Sequence, residues 1–178
     1  MTGYDIVSLD AAGFDAHLDG LAELLAACVA AGASVSFVSP FSVGEAARFW
    51  REKVRPGVEA GSRTVLAAVQ DGAVAGTVQF DRATPPNQPH RADVSKLLVH
   101  PDRRKQGIAR ALMIGLEEAA RDAGRWLLTL DTASAVAEHL YSSLGYRTAG
   151  AIPEYALDSS GGVLEATIIM YKSLRETG

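Results

Sequence analysis

One cysteine in 178 residues, Cys28, leaves no intramolecular disulfide to form and excludes the stapled scaffolds of small secreted proteins. A reducing compartment follows. A basic excess is missing too. Lysine plus arginine number 17 against 21 acidic residues, for a formal net charge of −4. That excludes an extended nucleic-acid surface and leaves room only for a local basic pocket. No apolar run approaches the roughly 20 residues of a membrane span. Met1 to Asp10 lacks the basic start and apolar stretch of a signal peptide, so the cytoplasm is the expected address. His17, His90, His100 and His139 show no metal-ligand spacing, and no metal is expected. Neither repeats nor low-complexity linkers break the chain, which predicts one domain over residues 1–178.

The pattern that is present alternates strands and helices. Tyr4 to Leu9 reads as a first strand. Phe14, Leu18, Leu21, Leu25 and Val29 then recur at helical spacing up to Gly32. Cys28 falls on that apolar face and is read as a packed thiol. "SVSFVSP", from Ser34 to Pro40, resists assignment. Ser42 with Glu45 three residues later predicts a capping box opening a helix to Val54. Asp-Gly between Thr64–Val69 and Val74–Phe80 is a strong hairpin signal. Strands at Val94–Val99 and Trp126–Leu130, a helix marked by Ile108, Leu112, Leu116 and Ala119, and a short helix marked by Val136, Leu140 and Leu144 follow. Two closing strands run near Tyr146–Ile152 and Leu164–Tyr171, the second containing "ATIIMY", read as core or interface edge. Trp50 and Trp126 are read as core or pocket wall without a stacking role. The fold class is α/β or α+β with a mixed central sheet.

"RKQGIA", from Arg104 to Ala109, carries the chemistry most openly. It lacks the Lys-Ser/Thr of nucleotide hydrolases and the further glycines of a dinucleotide fingerprint. What remains is R-x-x-G-x-A after a strand and at a helix start. The first amides of a helix lack internal partners and carry the positive end of its dipole. Small residues at Gly107 and Ala109 let a diphosphate approach, with basic residues adding charge. Taken alone, the turn is equally a solvated basic corner.

The hairpin, the strand "VSKLLVHP", the turn "RRKQGIA", its helix, the strand "LLTLD" and the short helix "AEHLYSSLGY" together resemble the GCN5-related N-acetyltransferase (GNAT) superfamily, from about Thr64 to the end. "AGASVSF", "RADVSKLLVHP", "LLTLDT", "VAEHLYSSLGY", "IPEYALD" and "YKSL" further resemble the tabtoxin resistance acetyltransferases, which act on a small amino-acid-like toxin. The resemblance implies a mostly antiparallel sheet flanked by helices, and acetyl-CoA as cosubstrate. The partner is then a small-molecule amine, a toxin or antibiotic among the candidates, and the assembly a monomer or homodimer.

The implied reaction is attack of an amine on a thioester. An alkylammonium with a pKa of about 10.4 must first lose its proton. Tyr141 is the candidate acid for the departing thiolate, since a phenol can protonate a thiolate whose conjugate acid lies near about 8.5, and it occupies the superfamily's acid position. Asp131 and Asp93 compete as base, Asp131 ranked slightly ahead. The alternative roles are a helix cap for Asp131 and an ion pair, with Lys96 for instance, for Asp93. The resemblance further implies the backbone of Leu98 or Val99 for the cofactor arm and the oxyanion. It places the diphosphate on amides of Lys105, Gln106, Gly107, Ile108 and Ala109, with Arg104 nearby. Ser134 stands where the superfamily often has asparagine. "GASVSFVSPF" and the Pro85–Arg91 loop are expected to wall the substrate, and Arg91 or Lys96 to meet a substrate carboxylate or only solvent. Two rivals stand beside this reading: an acetyltransferase for protein N-termini or lysines, and a non-catalytic acyl-CoA binder.

Overall fold

The computed structural model describes residues 3–175. Its elements are β1 (Asp5–Leu9), α1 (Ala11–Ala30), α2 (Val43–Phe49), a π-helical turn (Trp50–Val54), α3 (Arg55–Glu59), β2 (Arg63–Gln70), β3 (Ala73–Asp81), β4 (Arg91–Val99), a 3-10 turn (Pro101–Arg103), α4 (Ile108–Asp122), β5 (Leu127–Thr132), α5 (Ala135–Ser143), β6 (Arg147–Leu157) and β7 (Leu164–Ser173).

Local chemistry explains most boundaries. Asp10 caps α1 by accepting from the Gly13 amide at 2.7 Å. The capping box forms as expected, with Ser42 Oγ accepting from the Glu45 amide and Glu45 Oε2 from the Ser42 amide. The helix expected from Ser42 to Val54 instead loosens at Trp50 into the π turn and resumes as α3 to Glu59. The wide turn lies just before Pro56, which has no amide to continue an α-helical ladder. Trp50 is fully buried there, and its indole N–H donates to the Leu21 carbonyl at 2.9 Å. Asp71 and Gly72 both take positive φ, 52° and 79°, as a two-residue hairpin turn between β2 and β3 requires.

All seven strands join one sheet in the order β1-β2-β3-β4-β5-β7-β6. Only β4 and β5 run parallel, so the sheet is mixed and mostly antiparallel. Strand β7, which contains "ATIIMY", lies between β5 and β6 and is therefore no edge. The outer strand is β6, exposed along its whole length. Two cores form, one on each face. Leu66, Val78, Phe80, Ala92, Val94, Leu128 and Leu130 pack against Ile108, Leu112 and Leu116 of α4. Val65, Ala67, Val74 and Leu98 pack against Leu21, Leu25 and Cys28 of α1.

Strand β4 changes face partway along. Ala92 and Val94 point toward α4, whereas Leu98, also an even number, points toward α1. Strict alternation forbids this unless a residue is inserted. The register confirms the insertion: Gln79 faces Ser95 and Thr77 faces Leu98, so β4 carries one residue more than β3 between them. This bulge includes Lys96, whose φ is +55°. Beside it, β4 and β5 pair only from Arg91↔Leu127 to Asp93↔Thr129 and then separate. The later part of β4 thus faces an open gap.

Candidate active site

The turn expected to form a phosphate cradle lies beside the later part of β4. Gly107 is the N-cap of α4 with φ +80°, and no side chain caps the helix behind it. Lys105 also takes positive φ, at 62°. Arg104, Lys105, Gln106 and Gly107 are exposed, Ala109 is partly so, and Ile108 turns its side chain into the core. The first amides of α4 consequently face solvent from a concave, basic turn. A Cβ at Gly107 would lie 3.5 Å from the Tyr4 hydroxyl, so Tyr4 borders the cradle, a neighbour that nothing in the local sequence signals. Gly76 on β3 brings the cradle close to β4. A Cβ there would come within 2.8 Å of the Leu98 carbonyl oxygen and 2.9 Å of Ile108 Cγ2.

The structure separates Leu98 from Val99. The His100 amide donates to Ala75 in β3, which makes His100 and Leu98 the residues whose main chain faces β3. Val99 therefore turns its N–H and C=O toward the gap, and its carbonyl accepts from Cys28 Sγ at 3.4 Å. Cys28 is packed, as expected, and burial pushes its thiol up while the nearby Arg104 guanidinium opposes the shift. Arg104 thus lies between the cradle and the gap edge of β4.

Across the gap, β5 and α5 present the candidate residues Asp131 and Tyr141. Asp131 is exposed at the end of β5, and its Oδ2 accepts from the Thr167 hydroxyl at 3.0 Å. Tyr141 is 6% exposed. Burial, and then the Asp131 charge, push its phenol up to about 12. Tyr141 thus stays protonated at neutral pH, the state a proton donor needs. Behind it, Tyr146 packs at 5.7 Å between ring centroids. Lys172 bridges Glu117 of α4, at 2.7 and 2.8 Å, to the Leu144 carbonyl at the end of α5. This partly buried ion pair ties α4 to the end of the helix that carries Tyr141. Ser134 is the N-cap of α5, its hydroxyl accepting from the Ala137 amide at 3.3 Å.

Asp93 belongs to a different grouping. Its carboxylate accepts from Arg91 and from Thr129 Oγ1, the latter at 2.6 Å, and clips β4 to β5 at their last pair. Arg91, not Lys96, is the partner. Arg91 is held further by Gln88 at 2.7 Å. The Pro85–Arg91 loop is stapled to the start of β5, where Arg125 donates to the Pro89 carbonyl and Trp126 donates to that of His90. It lies at the closed end of the two strands. Contrary to the sequence reading, Trp126 does stack, with His90 at 4.5 Å and Arg175 at 3.5 Å from its ring.

The "SVSFVSP" segment lies over the bulge instead. Lys96 Nζ donates to the Val35 carbonyl at 2.9 Å and to Ser36 Oγ at 3.3 Å. The same ammonium sits 5.4 and 5.5 Å from the rings of Phe37 and Phe49. At its far end this loop meets the β6–β7 turn, where the Ser39 amide donates to the Ser159 carbonyl at 2.7 Å. The α1–α2 loop, anchored on β4 through Lys96, is thus joined main chain to main chain with the β6–β7 turn. Among the described residues no cluster of three or more His, Cys, Asp and Glu side chains is placed to hold a metal ion, and no helix is long and apolar enough to cross a membrane.

An uncapped helix start, a strand edge freed from its parallel neighbour, and a buried phenol under the influence of the Asp131 charge are the features of the candidate site, and the fold that carries them recurs in solved structures. The protein yncA from Salmonella typhimurium, solved with its cofactor acetyl-CoA, superposes with a TM-score of 0.75 at 20% identity, over 98% of this chain and 96% of that one. An aminoglycoside 6'-acetyltransferase type Ii gives 0.72 at 21% identity, over 98% and 99%. A ribosomal-protein-alanine N-acetyltransferase from Brucella melitensis gives 0.71 at 21%, over 96% and 99%. Residues 32–146 match the sequence pattern of the acetyltransferase (GNAT) family, and the chain belongs to that family of N-acetyltransferases.

Proposed function

We propose that this protein moves the acetyl group of acetyl-CoA onto a small-molecule primary amine by direct attack within a ternary complex. The observation that carries the reading is the convergence of Asp131 and Tyr141 across a parted β4–β5 pair from the exposed, uncapped start of α4. The cradle fits a diphosphate, because Gly107 leaves open the space a side chain would fill and the amides behind it have no side-chain partner. Acetyl-CoA would supply an acetyl group activated as a thioester. The amides of Lys105 to Ala109, with Arg104, hold the diphosphate. The gap-facing main chain of Val99 pairs with the pantetheine arm and offers an N–H where negative charge develops on the carbonyl oxygen. Leu98 supports this edge from the β3 side, and Ser134 orders the start of α5.

Asp131 accepts the proton of the acceptor ammonium, and Tyr141 donates its own to the departing thiolate. Asp93, tied to Arg91 and Thr129, keeps the strands together below the reacting groups. The joined Ser39 and Ser159 main chains roof the acceptor side, which favours a compact molecule over a peptide lying in an open groove. An amino-acid-like toxin or antibiotic is the class to which the tabtoxin resistance resemblance points. The same proposal includes a homodimer that buries Ile152, Tyr155 and Leu157 of the exposed outer hairpin, which sedimentation would detect.

The experiment is a thiol-release assay over amino acids, polyamines, aminoglycosides and peptides. Turnover with one small amine, lost in Tyr141→Phe, supports the reading. Turnover only with peptides points to protein acetylation, and acetyl-CoA binding without any turnover points to a non-catalytic binder.

A further inference from the structure

Most cations sunk into this sheet have an acid to hold. Arg63 pairs with Asp81, Arg91 with Asp93 and Lys172 with Glu117. Among the described residues Lys96 has no carboxylate within ion-pair distance. Its ammonium rests on a carbonyl, a hydroxyl and two aromatic faces, all of them neutral. Partly buried charges left to neutral partners are costly, and ones that persist commonly serve a ligand. The backbone adds to the anomaly. At φ +55° a lysine pays a strain that glycine would avoid, and strain of this kind collects at binding sites.

The position is informative as well. Lys96 occupies the bulge of β4, beside the parting of β4 and β5, under the loop that roofs the acceptor side. Continued two residues past its last pair, Asp93 with Thr129, the β4–β5 register sets Asp131 opposite Ser95, next to Lys96, and the Asp131 charge is felt at both Lys96 and Tyr141. The one other charge that bears on Lys96 is Arg63, already neutralised by Asp81. An acceptor whose ammonium faces Asp131 therefore has a positive group on the opposite strand, across the parting of β4 and β5.

We propose that Lys96 receives a carboxylate carried by the acceptor, so that the cleft selects amino carboxylates of the α-amino-acid type over plain amines. The proposal rests on the reading of this cleft as the acceptor site. Phe37 and Phe49 flank the ammonium and exclude water from the pair, which strengthens it.

Calorimetry on the full chain saturated with CoA tests it with matched ligands: phenylalanine and phenethylamine, leucine and 3-methylbutylamine, lysine and 1,5-diaminopentane. The expected result is about a ten-fold or greater preference for at least one amino acid over its decarboxylated partner, as a charge-assisted bond supplies. Lys96→Met removes the preference and leaves acetyl-CoA affinity unchanged, while Lys96→Arg keeps part of it. Equal binding within every pair overturns the proposal, as does a preference that survives in Lys96→Met. A second readout needs no substitution. In protein labelled at lysine Cε, the Lys96 resonance shifts on adding the amino acid and stays put with its partner amine; the same shift with both overturns the proposal. Lys96-dependent binding without acetyl transfer to any amine would sink the acetyltransferase reading and keep this one. Acetylation of amines with no carboxylate preference would do the reverse.

Discussion

The carboxylate of Asp131 and the phenol of Tyr141 are electrostatically coupled across the end of the β5–α5 corner, the carboxylate's charge adding to burial in holding the phenol protonated. Tyr141→Phe removes that proton without emptying the space. The expected loss in kcat is about 10²- to 10⁴-fold, with acetyl-CoA affinity nearly unchanged, read by thiol release and calorimetry. An unaltered kcat at saturating acetyl-CoA removes Tyr141 from the mechanism.

The same coupling has a stability signature. Tyr141 titrates near 10 when unfolded and is pushed up to about 12 when folded, so between those values the unfolded chain has lost a proton that the folded one keeps. Stability is full below about pH 10 and falls as the pH rises toward 12. Tyr146, also raised by burial, adds in the same direction. Denaturant titrations at pH 9 and 11 are expected to show the decline, and Tyr141→Phe to show less of it.

Asp131→Asn and Asp93→Asn separate base from clip. Removing the Asp131 charge is expected to cut kcat/KM by about 10²-fold or more. Asp93→Asn, which loosens an exposed ion pair, is expected to cost about 1 kcal/mol or less of stability and to leave kcat/KM near the wild-type value. Wild-type kcat/KM in both variants would assign the proton to water.

Gly107→Val places a branched side chain at φ +80°, where an L residue costs about 1–2 kcal/mol, and fills the cradle. Calorimetry is expected to show acetyl-CoA affinity reduced by about ten-fold or more, with the circular dichroism spectrum retained. Undiminished affinity would move the diphosphate elsewhere.

Lys172→Met leaves the buried Glu117 with only the looser Arg121 contact at 3.9 Å. Loss of a charge-assisted partner from such a partly buried acid costs about 1–3 kcal/mol. Thermal unfolding should register it, and kcat should drop with it because α5 is no longer pinned at Leu144.

Features governed by neighbours in sequence were readable in advance. The Asp71-Gly72 turn, the Ser42–Glu45 box and the glycine opening α4 each depend on a few adjacent residues, and each forms as read. What escaped depends on distant parts of the chain. "SVSFVSP" has no local periodicity because its shape is set by Lys96 beneath and Ser159 beyond. The bulge at Lys96 leaves no mark in "VSKLLVHP", since only the partner strand β3 reveals the extra residue. Leu98 and Val99 were left undecided for the same reason. Asp131 and Asp93 look alike in sequence, and packing alone gives one to Tyr141 and the other to Arg91. "ATIIMY" is apolar on an inner strand and would be equally apolar on an edge, so only the strand order distinguishes the two.

The link between Ser39 and Ser159 is made by peptide groups, not by side chains. Point mutations therefore leave the closure intact while they repaint its inner surface. Were this link to roof the acceptor as proposed, side chains at the two loop tips could alter acceptor choice while the start of α4 stayed unchanged.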